Sequence, residues 1–325
     1  MSTFVLLVAT GLGLAGLYFL LAAGLSLIFG LMDVLNLAHG AFFALGGYAA
    51  WTAMDALDVI EPVGLRFLLA LVIAGGVGYL VGVVVERLLI ARNYGDHLVQ
   101  ILVTLGLGFA GVAFLGGLYS YDPRSLAQPE WFADTTTVLG ARIPNSRMLI
   151  FAVAVVVLVG LLTFLNRTRH GLIIRAGVEN RQMVQALGID VGRSFTLVFG
   201  IGGMLAAIGG TLGAVYFNGI TPGLGTTQLI FAFIVVVIGG LGSITGTAIA
   251  AVVVALTQQM GNFYVATGVG DIAVVALLAL VLLVRPQGLL GRTARGPTPP
   301  TPPCSRPRRQ PHPSPPAARP RHGVA

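Results

Sequence analysis

Asp33, Asn36 and His39 stand three residues apart in "MDVLNLAHG", in the short interval between two long apolar runs. A carboxylate, an amide and an imidazole are costly in hydrocarbon, and ionisable side chains inside apolar segments mark pathways for solutes, ions or protons. The spacing puts neighbours on adjacent positions of a helix surface, and it lets Asp33 or Asn36 cap the helix that starts "LAHGAFFALGGYAAW". Two compatible readings stay open. One is a plain turn and cap. The other is a helix whose first turn, with His39 and Gly40, begins beneath the membrane surface and faces a wet cavity with its free N–H groups. On that reading Asp33 and Asn36 organise the helix start and His39 faces the cavity. One histidine with no cysteine nearby does not make a metal site. Glu86 adjoins Arg87 at a helix end and reads as interfacial, while Asp271 follows "ATGVG" and suits a cap for the last helix. Ser243 in "GLGSITG", with His39 and His97, raises an intramembrane enzyme, but no nucleophile and base can be paired from spacing. Serine among glycines suits helix packing instead.

The elements that must carry these residues are membrane helices. The chain has 325 residues, 56% of them hydrophobic and 10% charged, with mean hydropathy +0.89. Average soluble domains carry about 25% charge. The expected fold is an all-α polytopic helical bundle with about eight apolar segments, near 4–30, 36–54, 63–86, 98–119, 148–165, 194–217, 228–258 and 264–284. Barrel strands would be about ten residues long and alternating, which these are not.

Orientation follows from arginine, because the chain contains no lysine. Five arginines lie between Asn166 and Arg193 and two in the turn around Arg87 and Arg92, whereas "DALDVIEP" (55–62) is purely acidic. Arginine-rich loops belong in the cytoplasm, so the N-terminus and the 120–147 loop are expected outside. No basic residue precedes Arg66, so the first helix lacks the charged flank of a cleaved signal peptide and is expected to be kept. Eight simple crossings would then leave the arginine-rich C-terminus outside, against the same rule. The suspect is "FAFIVVVIGGLGSITGTAIAAVVVAL", where Gly239, Gly240, Gly242 and Gly246 weaken the helix. A broken or re-entrant segment at 239–246 would return the tail to the cytoplasm, with Gly240, Gly242 and Ser243 as candidate lining of a pathway. The alternative is one long helix packed closely through its small residues.

Two domains are expected. Residues 1–292 form the membrane unit, with a cytoplasmic loop at 166–193, and 293–325 form a Pro/Arg-rich tail unable to build helix or core. Apart from the eight arginines from Arg285 onward, eleven arginines face twelve acids, so the body offers no basic surface for nucleic acid. Within the loop, "RAGVENRQMVQALGI" has helix formers and a natural stop at Gly188, and suggests a short helix across the cytoplasmic face. Its Val178, Met183, Val184 and Leu187 could dock a partner; the plainer reading is a loop that only sets orientation.

"GLSLIFGLMDVLNLAHGAFFALGGY", "RAGVENRQMVQALGID" followed by "LVFGIGGMLAAIGG", "VVVIGGLGSITG" and "LVRPQGLLG" together resemble the LivH-type permease of branched-chain amino acid ABC importers. The resemblance spans about residues 10–292, with four separated motifs in the family's order. It implies a subunit of the bacterial inner membrane working with a second, LivM-like permease, two cytoplasmic ATPases and an extracytoplasmic substrate-binding protein. It also implies that 175–189 is a coupling helix seated in an ATPase groove, with Arg175, Ala176, Asn180, Ala186, Gly188 and Ile189 at the motif positions. The glutamate and later I-x-L-P of the general importer loop are missing. Branched-chain amino acids are the default substrate; other amino acids, amides or urea stay open.

The absence of lysine stands independently of that resemblance, since a G-x-x-x-x-G-K-[ST] phosphate loop requires one. No such nucleotide site exists here, so the chain itself is expected to hold no cofactor and ATP falls to partner subunits. The competing reading is an ion-coupled secondary transporter of small polar solutes acting alone. The scarcity of mid-membrane carboxylates argues against it.

Overall fold

The computed structural model describes residues 2–94, 96–188 and 191–291. The Pro/Arg-rich tail and Ile189 therefore lie outside the described residues. The chain runs α1 (Ser2–Met32), α2 (His39–Ala56), α3 (Val63–Val85), a π turn and a 3-10 turn (Glu86–Ile90, Ala91–Asn93), then α4 (His97–Tyr119). A short α5 (Glu130–Ala133) and a hairpin of β1 (Thr135–Val138) and β2 (Ala141–Pro144) precede α6 (Asn145–Arg167), α7 (Arg169–Ala186) and α8 (Val191–Tyr216). The described chain closes with α9 (Leu224–Gly239), α10 (Ile244–Tyr264) and α11 (Val269–Val284). Six of these helices are long and apolar enough to cross a membrane, and α9 and α11 are shorter apolar helices. The multi-pass helical bundle expected from composition is what the chain forms.

α1 is the central post. From Leu14 to Ile28 every residue is buried, and it packs against α6, α8, α9 and α10. α2 and α3 complete the core by packing on α8, whereas α4 stands outermost with Leu98, Leu102, Phe109 and Phe114 exposed. Small residues bring these backbones into contact: a Cβ added at Gly46 of α2 would lie 2.2 Å from the Ala207 Cα of α8. In lipid, where apolar burial gives helices little drive to associate, such close approach is what packing relies on.

Contacts fix which ends lie together. Gly13 and Gly16 of α1 meet Arg147 and Ile150 of α6, so the two run parallel, and Gly177 of α7 meets Leu31 at the end of α1. We call this the α7 end. The link after α1 does not turn there and start a new helix. Asp33 lies beside His97 at the start of α4, the Leu35 carbonyl accepts from Thr104 Oγ1 at 3.2 Å, and Ala38 sits opposite Gly108. From His97 to Gly108, α4 rises about 16 Å, close to the reach of the five residue steps from Asp33 to Ala38 when extended. α2 thus begins deep inside the bundle.

α9 does the same from the other side. After α8 ends at Tyr216, the chain turns back inward, Ile220 pairing with Arg124 and packing on Gly47, and α9 starts where Gly225 crosses Gly40. α2 and α9 therefore both start at mid-depth and run to opposite ends.

The glycine-rich segment does break, between Gly239 and Ile244, with Gly240 at φ +97° and Gly242 at φ +78°. Its flanks are longer than half-spans: 16 and 21 residues, about 24 and 31 Å of helix. The turn lies at the α7 end, with Gly242 against Gly30, rather than at mid-depth. The single 228–258 segment is thus an antiparallel pair. α11 then runs back toward the α7 end, where Leu289 N donates to Ile238 O (2.7 Å) and Leu290 N to Gly239 O (3.1 Å). The described chain ends beside that turn.

Candidate functional site

Asp33, Asn36 and His39 have three different positions. Asp33 closes α1 in the left-handed region (φ +56°), exposed, with an oxygen 3.4 Å from His97 Nε2. It does not cap α2, whose N-cap is Ala38 without a side-chain bond. Asn36 is fully buried; its Oδ1 accepts from the Ala38 amide at 3.1 Å, holding the turn into α2, while its Nδ2 has no partner. His39 is also fully buried, its ring over Gly24, with Nε2 3.2 Å from the Leu21 carbonyl oxygen. A carbonyl can only accept, so Nε2 carries the proton, and Nδ1 is left without a partner. His39 thus lies within the helix packing rather than on a cavity wall. Gly40 packs backbone to backbone on Gly225.

Asn36, though fully buried, borders a cavity. With Leu35, Leu37, Leu229, Phe233 and Leu278 it lines a cavity of about 360 Å³ whose walls are otherwise apolar. A buried amide donor without a partner costs about 1–3 kcal/mol, and this one stands beside the mid-depth start of α2.

The other group sits at the α7 end. Ser243 caps α10, its Oγ accepting from the Gly246 amide at 3.1 Å. Gly242 and Ser243 line a cleft of about 220 Å³ together with Arg175 of α7, and Gly240 lies against the C-terminal loop. The structure therefore divides the residues read as one pathway from sequence: Asn36, His39 and Gly40 cluster at mid-depth, while Gly242 and Ser243 join Arg175 and Gly240 packs on the C-terminal loop. Ser243, His39 and His97 direct their polar atoms to Gly246, Leu21 and Asp33 respectively.

The helix expected at 175–189 is longer at its start, Arg169–Ala186, and Gly188 at φ +77° ends it. A Thr168 hydroxyl accepts from the Gly171 amide at 3.0 Å, which starts the helix before the residues the composition favoured. Met183 and Leu187, one turn apart, are 63% and 71% exposed, while Val184 is 4% exposed and packs inward. Arg175 is exposed and donates from Nη1 to Asn166 Oδ1 at 2.9 Å; Ala176 and Ala186 are exposed, and Asn180 lies on the same helix.

Several polar links were not evident in the sequence. Glu86 is buried, accepting from Thr196 Oγ1 at 2.7 Å and from the Tyr94 hydroxyl, so it ties the α3–α4 turn to the start of α8. Asp271 accepts from Gln258 Nε2 at 2.6 Å, and Gln258 Oε1 accepts from the Tyr18 hydroxyl at 2.5 Å, joining α11, α10 and α1. The N-cap of α11 is Gly268, so Asp271 is a cross-link rather than the cap. Arg147 lies 3.4 Å over the Tyr216 ring and donates to the Tyr216 carbonyl at 3.0 Å.

Comparison with known proteins places this arrangement. The family model described as "Branched-chain amino acid transport system / permease component" matches residues 7–285. The high-affinity branched-chain amino acid transport system permease protein LivH of Escherichia coli K12 is 30% identical over 291 residues, covering 87% of this chain and 94% of its own. LivM of the same organism, a permease of the same transport system by its name, is 27% identical, covering 85% and 68%. The fructose import permease protein FruF of Bifidobacterium longum is 29% identical, covering 82% and 72%.

Proposed function

Since the chain belongs to the family of branched-chain amino acid transport system permease components, we propose that it is one permease subunit of an ATP-driven importer of aliphatic amino acids in a bacterial inner membrane. Residues 1–292 are the permease unit, 166–193 its coupling loop and 293–325 an appendage. A second, LivM-like permease completes the membrane part, two cytoplasmic ATPases drive it, and an extracytoplasmic binding protein delivers the substrate.

The observation that carries the reading is α7. A polar helix lying at one end of a membrane bundle, with Met183 and Leu187 exposed a turn apart, fits a partner's groove. Arg175, Ala176, Asn180, Ala186, Gly188 and Ile189 belong to that contact. α7 touches the last turn of α1 through Gly177 and precedes α8 directly, so a force on it reaches the central helices. Import in this scheme is a population shift between two arrangements of the spans, biased by the ATPases at one end and the binding protein at the other. The pathway passes the mid-depth starts of α2 and α9. Asn36 lies on its wall, His39 and Gly40 fix the start of α2, and Gly240, Gly242 and Ser243 form its edge at the α7 end. The apolar lining around Asn36 suits an aliphatic side chain better than a sugar.

The test is copurification and uptake. The tagged chain from its native membrane should retain an ATPase, and Leu187→Asp or Met183→Pro should release it while the spans stay folded. Proteoliposomes of the complex should take up leucine only with ATP. Uptake by this chain alone under an ion gradient would overturn the reading in favour of a secondary transporter.

A further inference from the structure

The cleft at the α7 end, on the edge of the proposed pathway, combines features that passage of a solute alone does not require. It is bounded by the last turns of α1 and α6, the first half of α7, the turn between α9 and α10, and the returning C-terminal loop. Its walls are aliphatic, with Leu165, Ile174 and Leu290 among them, and its polar groups converge. Ile244 and Thr245, the first residues of the 21-residue α10, line it. Helix geometry leaves their amides without intrahelical partners and gives that end partial positive charge. The Arg175 side chain lines the same space. Ser26 supplies the independent sign of a missing partner: it is fully buried, lines the cleft, and its Oγ makes no hydrogen bond.

We propose that this cleft binds a small aliphatic carboxylate, and that the amino acid released on the α7 side is its physiological occupant. The carboxylate meets the α10 amides and the Arg175 guanidinium, Ser26 Oγ hydrogen bonds to the ligand, and the side chain lies among Leu165, Ile174 and Leu290. A ligand there touches α7 and the α9–α10 turn at once. It fixes their relation, and so slows transport when product accumulates. The choice of amino acid rests on the import reading; the carboxylate chemistry does not.

The test uses the full chain in nanodiscs with radiolabelled L-leucine as probe, and its complex in proteoliposomes. Equilibrium binding should be abolished by Leu162→Trp, which fills the cleft from α6, and weakened about fivefold by Ser26→Ala, the loss of one hydrogen bond. Gly160→Ala, whose added Cβ meets nothing within 4 Å, should leave this binding unchanged. 4-Methylvalerate should compete and isoamylamine, which lacks the carboxylate, should not. In proteoliposomes, leucine on the α7 side should slow uptake by the parent and leave Leu162→Trp uptake untouched. Leucine binding that disappears in Asn36→Ala but survives Leu162→Trp would overturn the proposal, as would the absence of saturable binding at millimolar leucine. A complex that binds leucine in the cleft yet shows no ATP-driven uptake would refute the import reading alone.

Discussion

Replacing Gly225 by alanine tests the crossing on which the mid-depth site depends. A Cβ there would lie 1.9 Å from the Gly40 carbonyl oxygen and 2.8 Å from its carbon. Ordinary carbon–oxygen contacts are about 3.3 Å or more, so α2 and α9 would have to part by more than an ångström where both begin. Neither neighbour is the tip of a flexible side chain, so the backbones themselves must move. Overpacking of this kind costs about 1–3 kcal/mol, offset in part by the roughly 1 kcal/mol that alanine gains over glycine in a helix. The net loss is modest for the whole bundle, but it falls on the start of α2, which Asn36 organises. Thermal unfolding of the purified chain in detergent should move down by a few degrees, and leucine uptake by the assembled complex should fall severalfold. Gly160→Ala on α6 is the control: nothing lies within 4 Å of its added Cβ. It should be neutral or slightly stabilising. If the two variants match in melting temperature and uptake, the backbone contact between α2 and α9 does not exist and the argument built on it fails.

Three further substitutions probe other joints. Ser243→Ala removes the α10 cap and should cost about 1 kcal/mol with transport largely retained; complete loss of transport in a fully assembled complex would instead revive a nucleophilic role for this serine. Arg147→Leu strips the cation from the Tyr216 ring and the hydrogen bond to its carbonyl, and should cost about 1–3 kcal/mol, read as a lower melting temperature in detergent. Gly288→Ala places a Cβ 2.6 Å from the Val237 carbonyl at a backbone angle of φ +79°. It should lift the C-terminal loop and speed chymotryptic cleavage after Leu289 and Leu290 markedly, while tryptic cleavage at Arg167 stays as in the parent.

What the sequence made legible follows from how local each signal is. The apolar runs announced the spans, and Gly239, Gly240 and Gly242 raised a break beside the alternative of one long helix, because length and helix propensity are read along the chain. Whether that break lay at mid-depth or at the end of the bundle depends on Gly30 meeting Gly242, a contact between distant segments. The early start of α9 was hidden because "ITPGLGTTQ" looks like loop; its last five residues are helical, packed where Gly225 fits against Gly40. Asp33 and Asn36 shared a spacing suited to caps, yet the chain between α1 and α2 is not helical, so the spacing had no helix surface to act on. Glu86 beside Arg87 looked interfacial; its burial is set by Thr196 and Tyr94, and partners so placed leave no mark on the local sequence. The sequence thus offers candidate residues one by one, and their grouping comes only from contacts between distant segments.

The return of the C-terminal loop onto the end of α9 has a consequence for how the protein is made. The carbonyls of Ile238 and Gly239 receive their donors from Leu289 and Leu290, which leave the ribosome only after the whole α10–α11 hairpin. Until then the last turn of α9 has unmatched acceptors at the bundle's edge, where they must be met by water or by the insertion machinery. A nascent chain therefore completes its penultimate joint last, and a transcript or protease product ending before Leu289 would carry all its spans and still present an open end. Membrane quality control could recognise such truncated chains by that exposed turn.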